Sequence, residues 1–215
     1  MITYFQAIIL ALVQGVTELF PISSLGHSVL IADLFGWHNL IKQETASESG
    51  FLSFLVMLHI ATAIALLVFY RKEWARVIKG FFRSLRTKKI EGDSDAKLAW
   101  LLAAATIPAG LTGLIFEHAL RTQFAKPFFA CIFLLINGIL LIKGDKLVKT
   151  AQLHRPRARK HADVEESEMG KTTRMVSDQL TFGRAALIGV AQIGALFAGI
   201  SRSGITMLAG LRSGL

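Results

Sequence analysis

The chain has 215 residues, of which 53% are hydrophobic and only 18% charged, with a formal net charge of +9. A soluble domain of this length carries nearer a quarter charged residues, so an ordinary soluble globule is excluded. The basic excess is bunched into two clusters, with no aromatic-interleaved basic groove, which argues against nucleic acid as a partner.

In chain order, the segments 4–20 and 22–36 are apolar, each short for a full span, and joined through Pro21. Proline disfavours helical geometry at the preceding Phe20, and Gly26 is expected to loosen the chain again. Into this stretch fall Glu18, Ser23, Ser24 and His27, with no Lys or Arg before Lys42 to neutralise the carboxylate. An ionisable group in such surroundings marks a functional site by default, and broken backbone at membrane depth must line a cavity or lie buried in protein. The expectation for 1–36 is a re-entrant hairpin that enters and leaves on the outer side. It does not read as a signal peptide, because no basic region precedes it and polar Gln14 and Glu18 stand where a cleavage site would be.

Residues 51–70, 98–116 and 127–142 read as membrane spans. His59, alone in the first, is expected to be a satisfied core histidine; Pro108 and Gly110 are tolerable in a helical bundle; Cys131 is inert packing. The basic clusters fall in 71–97 and 143–182, and two spans lie between them, so both are on one face. The positive-inside rule makes that face cytoplasmic and places 37–50 outside. Within the first cluster, Trp74 to Phe82 reads as an interfacial amphipathic helix, and anionic lipid headgroups are a sufficient partner for the charge.

Residues 183–215 hold the last apolar helices. There the chain repeats itself: Leu19 to Gly26 (LFPISSLG) returns as Leu196 to Gly204 (LFAGISRSG), each copy following a helix with a glutamine, Gln14 or Gln192. The second copy enters from the cytoplasmic side and the first from outside. The expected fold is therefore an all-α, polytopic integral membrane protein with an inverted repeat, its two broken or re-entrant hairpins meeting at one site. Such a meeting would set Glu18, His27, Ser23 and Ser24 opposite Ser201, Arg202 and Ser203. Arginine binds phosphate in a two-donor fork, glycines let backbone approach an anion, and a helix leaving the turn adds its positive end. A carboxylate and an imidazole facing them supply a metal ligand, base or nucleophile, which suits hydrolysis of a phosphoanhydride.

At these residues the sequence resembles the bacterial undecaprenyl-diphosphatase family of the bacitracin-resistance type. That family carries a motif E-G-x-T-E-F-x-P-V/I-S-S-T-G-H, here QGVTELFPISSLGH over 14–27, and a second, P-G-x-S-R-S-G-x-T, here AGISRSGIT over 198–206. The stretches MLHIATAIALLVFY (57–70) and AAATIPAGLTGLIF (103–116) are also similar to it. The resemblance implies dephosphorylation of undecaprenyl diphosphate in the bacterial inner membrane, at a site reached from the periplasm, with a divalent cation, magnesium or calcium. Carried residue by residue, it makes Glu18, His27 and Arg202 catalytic. Ser23, Ser24, Ser201, Ser203, Gly204 and Thr206 would bind substrate, and Glu18, with Gln14 as a weak ligand, would hold the metal. Gln14, Leu25 and Ala198 replace the family's glutamate, threonine and proline, and the family continues for several helices past the second motif, so the chain reads as C-terminally truncated. A homo-oligomer is compatible with such a bundle. The alternatives are an inactive or regulatory homologue, or a prenyl-lipid transporter, either of which would handle the lipid without releasing phosphate.

Overall fold

The computed structural model describes residues 2–37, 50–117, 126–154 and 168–215, together with Leu40 and Ala119. Most of the expected outer stretch 37–50 and the basic residues Arg155, Arg157, Arg159 and Lys160 lie outside the described residues.

All regular structure among the described residues is helical. Helix α1 (Tyr4–Leu19) begins with a capping box in which Thr3 and Gln6 each accept the other's backbone N–H. It stops where the sequence says it must: Phe20, held by Pro21, is extended. Helix α2 (Ser24–Leu34) follows at once. At 16 and 11 residues the two helices are about 24 and 16 Å long, each short of a hydrocarbon core of about 30 Å. Gly26 does not loosen the chain; it lies within α2, where its missing side chain serves close packing.

Helix α3 (Gly50–Phe69) runs into α4 (Arg71–Thr87) through a bend of 86° at Tyr70. The bend falls where an unbroken apolar run gives way to a basic, amphipathic one. The next helix, α5 (Ser94–Ile115), is capped by Asp93, which accepts from the N–H of Ala96 and also pairs with Arg83 of α4. Gly80 lets the backbones of α4 and α5 meet, and Trp100 donates its indole N–H to the buried Ser84 hydroxyl at 3.0 Å.

Helix α6 (Pro127–His154) continues well past the expected end of its span, so Lys143, Lys146 and Lys149 stand on helix, the last paired with Asp145 one turn earlier. Helix α7 (Glu168–Gln179) packs on α5, as does α8 (Phe182–Ala191). A 3₁₀ turn (Gln192–Leu196) leads from α8 to the second broken turn and to α9 (Arg202–Arg212). Helix α6 is the common neighbour of α2 and α9.

Among the described residues two helices, Ser94–Ile115 and Pro127–Lys149, are long and apolar enough to cross a membrane, and the bent pair Ser53–Phe69 and Arg71–Thr87 raises the number to as many as three. Large apolar side chains such as Phe5, Leu12, Leu114 and Leu135 are more than 60% exposed, which only a lipid surrounding makes favourable. The molecule is an all-α polytopic membrane protein.

Candidate active site

The two broken turns meet. The N–H of Gly199 donates to the Ser23 hydroxyl at 3.2 Å, and a Cβ on Gly26 would fall 2.7 Å from the Cα of Gly199. Gly199 is itself at φ +116 and pressed against the backbone of α6 at Ala130 and Leu134, so glycine is required there twice over. Ser23 takes φ 69 without being glycine, a strained conformation held by its neighbours: its carbonyl accepts from His27 Nδ1 at 2.7 Å and its hydroxyl from Gly199.

A cavity of about 130 Å³ opens at this junction, lined by Glu18, Ser23, Ser24 and His59 on one side and by Ser201, Arg202 and Ser203 on the other. Its two ends are the first turns of α2 and α9. Each helix start brings free backbone N–H groups and roughly half a positive charge to the same small space. Ser201 caps α9 by accepting from the N–H of Gly204 at 3.3 Å, and its hydroxyl lies 2.9 Å from that of Ser203. Arg202, the first residue of the helix, is exposed and lines the cavity. The arrangement is built to receive an anion.

Opposite it stands a compact polar group. The Ser24 hydroxyl donates to Glu18 Oε2 at 2.6 Å, the length of a charge-assisted bond. Gln14 Nε2 donates to the same oxygen at 3.2 Å, one helical turn away. His59 reaches in from α3, with Nε2 at 3.3 Å from Ser24 Oγ and 3.8 Å from Glu18 Oε2. Its Nδ1 lies 2.8 Å from the Leu55 carbonyl, which can only accept, so Nδ1 carries a proton; the one Ser24 hydrogen is on the bond to Glu18, and Nε2 stands 3.3 Å from Ser24 Oγ as the other group to which that hydroxyl can turn. A hydroxyl flanked by a carboxylate and an imidazole nitrogen is an activated nucleophile in the making.

Of the residues expected at the site, Glu18, Ser23, Ser24, Ser201, Arg202 and Ser203 line the cavity. His27 does not, because its ring is turned back one helical turn onto the Ser23 carbonyl. Gly204 is buried behind the turn beside Leu141 and Pro21, and the Thr206 hydroxyl donates to the Arg202 carbonyl at 2.7 Å; neither lines the cavity. Gln192, the repeat partner of Gln14, instead donates to the Ala105 carbonyl of α5. His59 takes the place expected of His27. The signal was available: it is the one His, Asp, Glu, Lys or Arg in 51–70, and the argument that singled out Glu18 applies to it equally.

For a metal, no group of three His, Cys, Asp or Glu side chains is suitably gathered among the described residues. What the site offers a hard cation is the Glu18 carboxylate and the Gln14 Oε1 atom, which is buried without a hydrogen-bond partner. Oxygen donors of this kind fit magnesium or calcium, which complete their shells with water and substrate phosphate.

Beside the polar site an apolar groove of about 650 Å³ runs between α1 and α3, past Gln14, Leu19, Leu58, Leu66 and Phe69.

Residues 7–215 match the family model described as Bacitracin resistance protein BacA. The undecaprenyl-diphosphatase 2 of Frankia alni is 42% identical over 253 residues, taking in all of this chain and 74% of that protein. The undecaprenyl-diphosphatase of Mycolicibacterium paratuberculosis is 45% identical over 217 residues, covering 100% of this chain and 70% of the relative. For the undecaprenyl-diphosphatase 2 of Burkholderia thailandensis the identity is 41% over 208 residues, 97% of this chain and 65% of that protein. With a family model spanning both broken turns and relatives of this identity along nearly its whole length, the chain belongs to the bacitracin resistance protein family.

Proposed function

We propose that this protein is a membrane prenyl-diphosphate phosphatase that hydrolyses undecaprenyl diphosphate to undecaprenyl phosphate and inorganic phosphate, renewing a lipid carrier for cell-wall synthesis and thereby opposing bacitracin. The observation that carries the reading is the Ser24–Glu18 bond of 2.6 Å in the cavity that Arg202 also lines. Family membership and the names of the relatives support the substrate.

In the mechanism these residues suggest, the diphosphate lies between the starts of α2 and α9, with Arg202, Ser201 and Ser203 binding its oxygens. Ser24 Oγ attacks the terminal phosphorus as its proton passes to Glu18. The bond from phosphorus to the bridging oxygen breaks, undecaprenyl phosphate leaves, and a phosphoserine remains. Glu18 gives that proton to the departing undecaprenyl phosphate, then takes one from the water whose oxygen displaces Ser24 Oγ from phosphorus, and passes it to Ser24 Oγ as inorganic phosphate leaves. Arg202 and the helix ends stabilise the charge that gathers on the phosphoryl oxygens in both steps. His59 Nε2, 3.3 Å from Ser24 Oγ, is a second group to which that hydroxyl can turn its proton. A divalent cation would be held by Glu18 and Gln14 Oε1 and would neutralise part of the diphosphate charge. The apolar groove beside Gln14 suits the prenyl chain.

The same reading puts the protein in the bacterial inner membrane with the cavity open to the periplasm, because the positive-inside rule would make the face carrying both basic clusters cytoplasmic. Helix α4 supports this, since Trp74, Ile78, Phe82 and Leu85 form an exposed apolar stripe beside Arg71, Lys72, Arg83 and Arg86, suited to anionic headgroups. The test is release of phosphate from prenyl diphosphates of C15 to C55 by the purified protein, with and without magnesium or calcium. Binding without release would favour the transporter or an inactive homologue.

A further inference from the structure

The cavity is assembled from two chain segments far apart in sequence, and one side chain outside both motifs joins them. Asn137 sits on α6 in the middle of an apolar run and is 3% exposed. Its Nδ2 donates to the Pro21 carbonyl at 3.1 Å, in the first broken turn, and its Oδ1 accepts from the N–H of Ser201 at 3.0 Å, in the second. A carbonyl only accepts and an N–H only donates, so the amide fits one way round and both its ends are used. Pro21 lies between Glu18 and Ser24; Ser201 caps the helix whose first residue is Arg202. The turns also meet directly through the Gly199–Ser23 hydrogen bond, the Gly26–Gly199 contact and the packing of Gly204 against the Pro21 carbonyl.

We propose that Asn137 is a positioning residue, whose amide sets the separation between the Ser24–Glu18 pair and the Arg202 guanidinium and so governs the rate of the chemical step. This rests on the phosphatase reading above. A misplacement of about 1 Å between reacting groups can cost a hundredfold in rate. Asn137→Asp is the sharpest probe, being nearly isosteric: it still accepts from Ser201 but turns an oxygen towards the Pro21 carbonyl. Asn137→Leu removes both bonds.

The experiment pairs kinetics with distance measurement on the purified full chain. In phosphate release, Asn137→Asp is expected to lower kcat by about 10- to 100-fold with KM changed less than about twofold. In an Arg202→Lys background the same substitution should cost about twofold or less, because residues acting through one geometry are not additive. A general loss of folding would instead lower both proteins alike. Separately, in a Cys131→Ser background, spin labels at the exposed positions of Leu34→Cys on α2 and Met207→Cys on α9 report the separation of the two hairpins. Their distance distribution should shift or broaden in Asn137→Asp and in Asn137→Leu. Native kcat in Asn137→Asp overturns the proposal, as does equal loss in both backgrounds. If the parent protein releases no phosphate, the phosphatase reading fails, while an unchanged label distribution overturns the joining role of Asn137 itself.

Discussion

Glu18 is the hub of the polar group at the cavity. Three polar atoms surround its Oε2 oxygen, Gln14 Nε2 at 3.2 Å, Ser24 Oγ at 2.6 Å and His59 Nε2 at 3.8 Å. His59→Phe keeps the ring but removes the nitrogen that faces Ser24, so kcat should fall about 10- to 100-fold with little change in KM. A native rate in that variant would return His59 to a packing role. Gln14 tests the metal: its unpaired Oε1 is a neutral ligand, and Gln14→Glu supplies a charged one in the same place. Titration of activity with magnesium should then reach half-maximum at a lower concentration, and coincident curves would put position 14 outside the metal's reach. The carboxylate, the serines and the arginine were legible in the sequence because each is costly where it stands. His59 carried the same signal yet read as packing; Asn137 was not legible, because a single neutral polar group in a long apolar helix looks the same whether it is satisfied locally or spans two distant segments.

Among the elements, the two broken turns carry the design. Pro21 and the doubled LFPISSLG and LFAGISRSG pattern announced both breaks, and the close approach of Gly26 to Gly199 shows how they fit together. Gly199→Ala must place a Cβ 2.7 Å from the Ala130 carbonyl at φ +116, and Gly26→Ala must push the turns apart. Each should destabilise the protein by about 1–3 kcal/mol and lower activity with it. Gly110→Ala, with open space around its Cβ, is the control and should unfold at or above the parent temperature. Equal behaviour of all three variants in thermal unfolding would contradict the packing account. The asymmetry between the copies, Gln14 at the carboxylate and Gln192 on the Ala105 carbonyl, was invisible in the repeat because matching residues need not share neighbours.

For the molecule as a whole, composition and charge runs identified a membrane protein before any motif did. They did not show the 86° bend at Tyr70 or the length of α6, since basic residues on a helix and in a loop read alike. Orientation has its own test. With Cys131 replaced by serine, a cysteine at position 160, outside the described residues, should resist an impermeant reagent added to intact cells. Strong labelling there from outside would reverse the topology and turn the cavity towards the cytoplasm.

The central claim is that Arg202 and the Ser24–Glu18 pair, brought together at one cavity, hydrolyse a prenyl diphosphate. Phosphate release from undecaprenyl diphosphate by the purified protein in magnesium, alongside Glu18→Gln and Arg202→Lys, tests it directly. The parent should turn over; Glu18→Gln should lose at least about a hundredfold for want of a base. Arg202→Lys should lose about 10²–10³-fold, because an ammonium keeps the charge but not the planar two-donor fork. Near-native rates in either variant, with the parent active, would contradict the account.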